Sequence, residues 1–232
     1  MENQTSIIYA GPSLIDGAPI VAIAIRSKRN RKTGPMVQTY IIRSDMSPML
    51  ASKTGADKAI CDNCPHRGTP TTDPERKLAV GRTCYVALYQ GPTIVWKTFA
   101  AGKYPTANNL DDVAAIGEGQ MVRIGTYGDG AAVPAKVWDA LISKAIGHTA
   151  YTHNGGKPSL YMKSVETIAQ AKRQWRAGNR TFRTISDVAE IDKEHEILCP
   201  ASKQAGARVQ CAKCKLCAGN KLQAKSIAIP LH

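Results

Sequence analysis

From Met121 onward, strand-like and helix-like stretches take turns, and this alternation limits the fold more than any other feature of the chain. "MVRIGTYGD" reads as a strand, and "AAVPAKVWDALISKAIG" repeats apolar residues at helical spacing with Gly147 as its stop. "HTAYTH" and "LYMKSVE" read as strands and "TIAQAKRQWRAG" as a helix ending at Gly178; "RTFRTIS" and "HEILCP" read as two further strands. Such alternation predicts βα units and a parallel sheet. Upstream, "PIVAIAIR" and "MVQTYIIR" flank the polar "SKRNRKTGP", so Ile20 to Ile42 reads as a β-hairpin. Ser47 to Asp57 reads as a short helix, "RTCYVALYQ" as a strand, and "TIVWKTFAAG" as a helix ended by Gly102. The expectation is one α/β domain over residues 1–232, built on a barrel-like or open, mainly parallel sheet. It would carry an N-terminal β-hairpin and a C-terminal cysteine-rich, metal-binding appendage at 199–219.

The chain is long enough to bury a core, and its apolar share of 43% with only two Phe and three Trp predicts an aliphatic one. It contains no apolar run of membrane-spanning length, and its start lacks the basic and apolar blocks of a secretory signal. A cytoplasmic protein is expected, with no membrane partner.

In a reducing compartment, clustered cysteines are metal ligands more often than disulfides. There are seven, in two groups. Cys199, Cys211, Cys214 and Cys217 supply four thiolates, enough to close a tetrahedral zinc site or to hold a [4Fe-4S] cluster. Cys61, Cys64 and Cys84 supply three. His66 could complete a zinc site with them, or three thiolates could hold a cubane with one iron left open to a ligand. Spacing does not choose between zinc and iron, or between one site and two.

In parallel α/β folds, functional groups collect where strands end and helices begin. "GTYGDGAAVP" puts Gly125, Tyr127, Gly128, Asp129 and Gly130 at one such edge. The glycines would admit a flat ligand, and Asp129 would act as acid, base or nucleophile; the same residue also fits a turn as an N-cap. His153 stands at the next strand end, Lys163 and Glu166 at another, Arg180 and Arg183 at a third. Asp129, Glu166 and His153 are the catalytic candidates, and the remaining groups are candidates for holding substrate.

Lys plus Arg exceeds Asp plus Glu by 31 to 18, a net charge of +13 that attracts polyanions. Five of the seven residues from Arg26 to Lys32 are basic. Arg26, Lys28, Arg29, Arg31 and Lys32 would form a hairpin tip that grips phosphates, most simply those of double-stranded DNA.

The order of the cysteine pair, "CY", "GDG", "YTH", "RTFR" and the C-terminal cysteine run resembles a group of small cysteine-rich bacteriophage proteins over most of the chain. Two parts are also similar to better-defined enzyme families. "GTYGDGAAVP" and the Cys211–Cys214–Cys217 run resemble elements of the tRNA-guanine transglycosylases and their phage relatives that insert 7-deazaguanines into DNA. Here Asp129 stands where that family has a glutamate, the first cysteine spacing is one residue longer, and no histidine follows at the expected distance. The resemblance implies a TIM-barrel-like fold, a zinc site, and transferase activity exchanging guanine for a deazapurine in DNA. The three cysteines ending in "CY" are more weakly similar to radical-SAM enzymes, which implies an iron–sulfur cluster with an iron open to S-adenosylmethionine; the usual cysteine spacing of that group is absent. DNA modification by base exchange is therefore the leading expectation, with Asp129 and then Glu166 as the working carboxylate. The alternatives are an iron–sulfur enzyme and a non-catalytic, metal-stapled nucleic-acid-binding phage protein.

Overall fold

The computed structural model describes residues 5–28, 30–220 and 222–231. Nine strands form one sheet: β1 (Ser6–Pro12), β2 (Pro19–Ser27), β3 (Met36–Arg43), β4 (Met121–Tyr127), β5 (Gly147–Thr152), β6 (Met162–Val165), β7 (Thr181–Ile185), β8 (Glu196–Leu198) and β9 (Ser226–Pro230). Their order is β1-β2-β3-β4-β5-β6-β7-β9-β8. The first three pair antiparallel, as an N-terminal meander, and every pairing from β3 onward is parallel. Strands β3 to β7 lie side by side in chain order, as in a barrel wall, but β1 and β8 remain edges. Of the two expected forms, the sheet is the open one.

The helices are α1 (Pro48–Thr54), α2 (Lys58–Cys61), α3 (Gly91–Ala100), α4 (Leu110–Gly117), α5 (Ala135–Ser143), α6 (Ile168–Arg176) and α7 (Cys211–Cys214). Local chemistry explains their bounds. Asn109 caps α4 by accepting from the Asp111 and Asp112 amides, and Thr167 with Gln170 closes a capping box on α6. The core is aliphatic. Ile20, Val21, Ala22, Ile23 and Ala24 of β2 are all buried, so this strand is covered on both faces. Trp138 of α5 is fully buried, and its indole N–H donates to the Gly130 carbonyl oxygen at 2.8 Å. At Gly128 the backbone needs φ +82°, and a Cβ would stand 2.8 Å from Ile41 Cβ, so only glycine fits where β4 turns past β3.

Several expected boundaries move. "RTCYVALYQ" is not a strand but a succession of turns and bends, held by Arg82 donating to the Cys84 and Val86 carbonyl oxygens. The helix expected through residue 147 stops at Ser143, and Gly147 opens β5 instead of ending a helix. β1, α4 and β9 are elements that the hydropathy pattern did not show. Among the described residues, no helix is long and apolar enough to cross a membrane.

Candidate metal centres and the cavity between them

The parallel strands deliver their carboxyl ends to one cavity of about 230 Å³. Asp129 follows β4, His153 follows β5, Glu166 follows β6 and Cys199 follows β8; all four line it. The opposite wall is the long β3–β4 connection, which contributes Cys61, Cys64, His66, Arg82, Cys84 and Tyr85.

Arginines fold that connection into place. Arg67 reaches Asp57 Oδ1 at 2.6 Å and donates to the carbonyl oxygens of Asp62 at 2.6 Å and Gly55 at 2.8 Å. The Cys84 amide donates to the His66 carbonyl oxygen at 3.0 Å, bringing the third cysteine back beside the first two. Burial pushes the Cys84 thiol up and the Cys61 thiol well up, each also facing its cysteine neighbours and Asp57. Thiols so placed ionise when a cation binds and compensates their burial.

The C-terminal group is organised by Arg180. Its guanidinium donates to the carbonyl oxygens of Leu216 at 2.8 Å, Gly219 at 3.0 Å, Ala224 at 2.8 Å and Lys225 at 2.7 Å. The Ala150 amide of β5 donates to the Cys217 carbonyl oxygen at 3.2 Å, seating the segment on the sheet. Cys199, Cys211, Cys214 and Cys217 all line a second, smaller cavity of about 20 Å³ over Thr149, Tyr151 and Ile227. Cys199 and Cys211 border both spaces and so stand between the two groups of thiols. Burial pushes the Cys217 thiol up to about 12, against a hydrogen bond with Tyr151. The residues at 199–219 are thus built into the sheet face rather than appended to it.

Three buried polar atoms in these walls have no hydrogen-bond partner among the described residues: Arg123 Nε and Tyr127 OH beside the larger cavity, Thr149 Oγ1 beside the smaller. Buried polar groups are normally satisfied, so these three atoms are exceptions in residues that line the cavities. Among the described residues, no three cysteine thiols lie within 4.8 Å of one another.

The catalytic candidates differ in freedom. Asp129 is latched: Oδ1 accepts from the Ala131 amide at 2.9 Å, and Oδ2 from Thr152 Oγ1 at 2.9 Å, the His153 amide at 3.0 Å and Asn154 Nδ2 at 2.9 Å. It works as the cap that ties β4 to β5, and burial pushes its carboxyl up in spite of those bonds. Glu166 Oε1 instead meets His153 Nε2 at 2.7 Å and His66 Nε2 at 3.8 Å. Burial of Glu166 opposes ionisation, but the His153 hydrogen bond and the two imidazoles hold its carboxyl below the usual range. His153 is partly buried, yet Cys64 and Glu166 push its imidazole up to about 10, whereas burial lowers His66.

Of the residues expected to hold substrate, Gly125, Tyr127 and Gly128 do line the cavity. Gly130 packs against Tyr161 and Ile124. Lys163 donates to the Asn154 carbonyl oxygen at 3.0 Å, and Arg180 is the clamp just described. Arg183 is buried in a two-pronged pair with Glu196, at 2.8 and 2.6 Å. These three cations are committed to protein partners and stay outside the cavity lining. The basic hairpin tip is also partly engaged: the Arg31 carbonyl oxygen accepts from Gln210 at 3.1 Å, and Arg26 reaches the Glu118 carbonyl oxygen at 3.5 Å. Lys28 stays exposed, Lys32 lies 5.9 Å over the Tyr85 ring at the cavity edge, and Arg29 lies outside the described residues. Arg67, Arg82, Arg123 and Thr83 were not singled out by sequence, because nothing in their spacing marks them.

No protein-family model, curated protein or solved structure matches this chain.

Proposed function

We propose that the protein is an iron–sulfur enzyme acting on nucleic acid, with Cys61, Cys64 and Cys84 holding one cluster and the four C-terminal cysteines a second. The observation that carries this reading is the placement of the seven thiols: Cys61, Cys64 and Cys84 border the larger cavity, and all four C-terminal cysteines border the smaller one. Three or four thiolates are the usual holders of a cubane cluster, each binding a different iron. Three thiolates leave the fourth iron of such a cluster open, and the trio here borders the larger cavity. When bound, that cluster would supply one-electron chemistry at the open position. The chain's own part is to line that cavity with Tyr127, Arg123 and Glu166 and to hold Glu166 ionised through His153. Nucleic acid as substrate is supported by the net charge of +13 and by Lys32 and Arg123 at the cavity.

Purification without oxygen, followed by assays of iron, acid-labile sulfide and zinc and an absorption spectrum, tests the proposal. The expected protein is brown, with a broad band near ~400 nm of the kind thiolate-bound clusters give. Cys64→Ala and Cys214→Ala should each remove part of the iron while far-UV circular dichroism persists, and added S-adenosylmethionine should perturb the spectrum of Cys214→Ala but not that of Cys64→Ala. A colourless protein holding zinc alone overturns it. Base exchange in DNA with a deazapurine as incoming base is the second reading. It is favoured by Glu166, an ionised carboxylate facing the cavity, rather than by the latched Asp129.

A further inference from the structure

Three side chains from three separate parts of the chain converge at the cavity: His66 from the turn Pro65–Arg67, His153 beyond β5 and Glu166 beyond β6. Their ligating atoms all lie within 4.8 Å of one another. Glu166 Oε1 is the shared centre, 2.7 Å from His153 Nε2 and 3.8 Å from His66 Nε2. Two donors bound to one ion at about 2.1 Å stand about 3.0 to 3.4 Å apart, for octahedral and tetrahedral angles respectively. The two observed separations bracket that range, so small side-chain rotations suffice to enclose an ion.

The surroundings are those of a prepared site. His66 Nδ1 sits 2.9 Å from Thr83 Oγ1, which orients the ring so that Nε2 faces Glu166; metal-binding imidazoles usually carry such an outer partner. Gln170 Oε1 accepts from the Glu166 amide at 2.9 Å and the Thr167 amide at 3.0 Å, fixing the backbone that carries the carboxylate. The side chains are partly shielded, with 18%, 20% and 26% of His66, His153 and Glu166 exposed, which lowers competition from water without closing the cavity side.

We propose that His66, His153 and Glu166 form a mononuclear site for a divalent first-row transition-metal ion, beside the Cys61, Cys64 and Cys84 group. Two imidazoles and a carboxylate suit manganese, iron(II), cobalt or zinc better than calcium or magnesium, which prefer oxygen donors. Three protein donors leave positions open toward the cavity, where the ion takes a substrate oxygen as a Lewis acid. This goes beyond the iron–sulfur reading, since none of the three ligands is a cysteine.

Manganese(II) is the probe, because carboxylate and imidazole bind it readily and thiolates favour softer ions. The anaerobically purified full chain is titrated while the six-line paramagnetic resonance of free manganese is followed, with iron and sulfide measured on the same samples. One manganese per chain should disappear from the free signal. Thr83→Val should weaken this binding by about 10-fold, and Glu166→Gln by about 100-fold or more, since even outer-shell changes cost 10- to 100-fold. Asp192→Asn, in the more exposed Asp192–Glu194–His195 group, should leave it unchanged. Equal binding by the parent and Glu166→Gln overturns the proposal, as does a parent with no saturable binding. Iron and sulfide in those samples judge the cluster reading independently.

Discussion

Asp129 and Glu166 show how position decides what a carboxylate does. Both follow parallel strands and both line the cavity, but Asp129 accepts four hydrogen bonds from its own chain whereas Glu166 is bound to two imidazoles. Asp129→Asn therefore tests a structural role. An amide group there must turn an N–H toward at least one of the four donors, whichever way it is flipped. Leaving buried partners unsatisfied costs about 1–3 kcal/mol. The denaturation midpoint should fall accordingly with iron content unchanged; an unchanged midpoint would show that the latch does not hold β4 to β5. The same comparison explains why sequence alone ranked Asp129 first. A capping aspartate and a catalytic one look identical at a strand end, and only the count of donors around each oxygen separates them.

At the scale of elements, the βα rhythm from β4 to β7 was legible because each strand and helix carries its own period. β9 was not, since "SIAIP" is a short buried run with no alternation, and it becomes a strand by inserting between β7 and β8. That insertion lets Ser226 Oγ accept from the Thr181 amide at 2.9 Å and from the Trp175 indole N–H at 3.0 Å. The cysteine run between β8 and β9 was legible as a cluster of thiols, but its tie to Arg180 was not, because the clamp and its carbonyl partners are remote in the chain. Arg180→Met keeps the aliphatic stem and removes all four carbonyl contacts. The segment from Leu216 to Lys225 should then detach, and the protein should lose the metal of the C-terminal cysteines while Cys61, Cys64 and Cys84 keep theirs. The metal-to-protein ratio and the visible spectrum of the variant report this directly. Full metal content would mean that the β5 contact to Cys217 and the hairpin contacts suffice.

The whole molecule divides into a part packed on the apolar core and a part that lines the cavities beside the thiols. The aliphatic core runs from β2 and β3 through β4 to α4 and α5, and includes Ile23, Ile41, Val122, Ile124, Trp138 and Leu141; only Cys61 among the cysteines packs against it. The β3–β4 connection from Asp57 to Tyr85 and the segment from Cys199 to Gly219 instead line the larger hollow and the smaller one beside it, with high-lying thiols in their walls. Metal-binding free energy is folding free energy for segments whose ligands do not meet without the ion. Where apolar burial already suffices, removing the ion leaves the fold standing, because stability is distributed unevenly across a structure. Chelation under reducing conditions should therefore preserve the far-UV signal of the sheet. Amide exchange should accelerate in residues 57–85 and 199–219 while β2, β4 and α5 stay protected. Hydrogen-exchange mass spectrometry resolves the two classes of peptide in one experiment. Uniform loss of protection would instead make the metals part of a single cooperative unit, and the hollow would be a structural staple rather than a chamber that a rigid sheet presents to substrate.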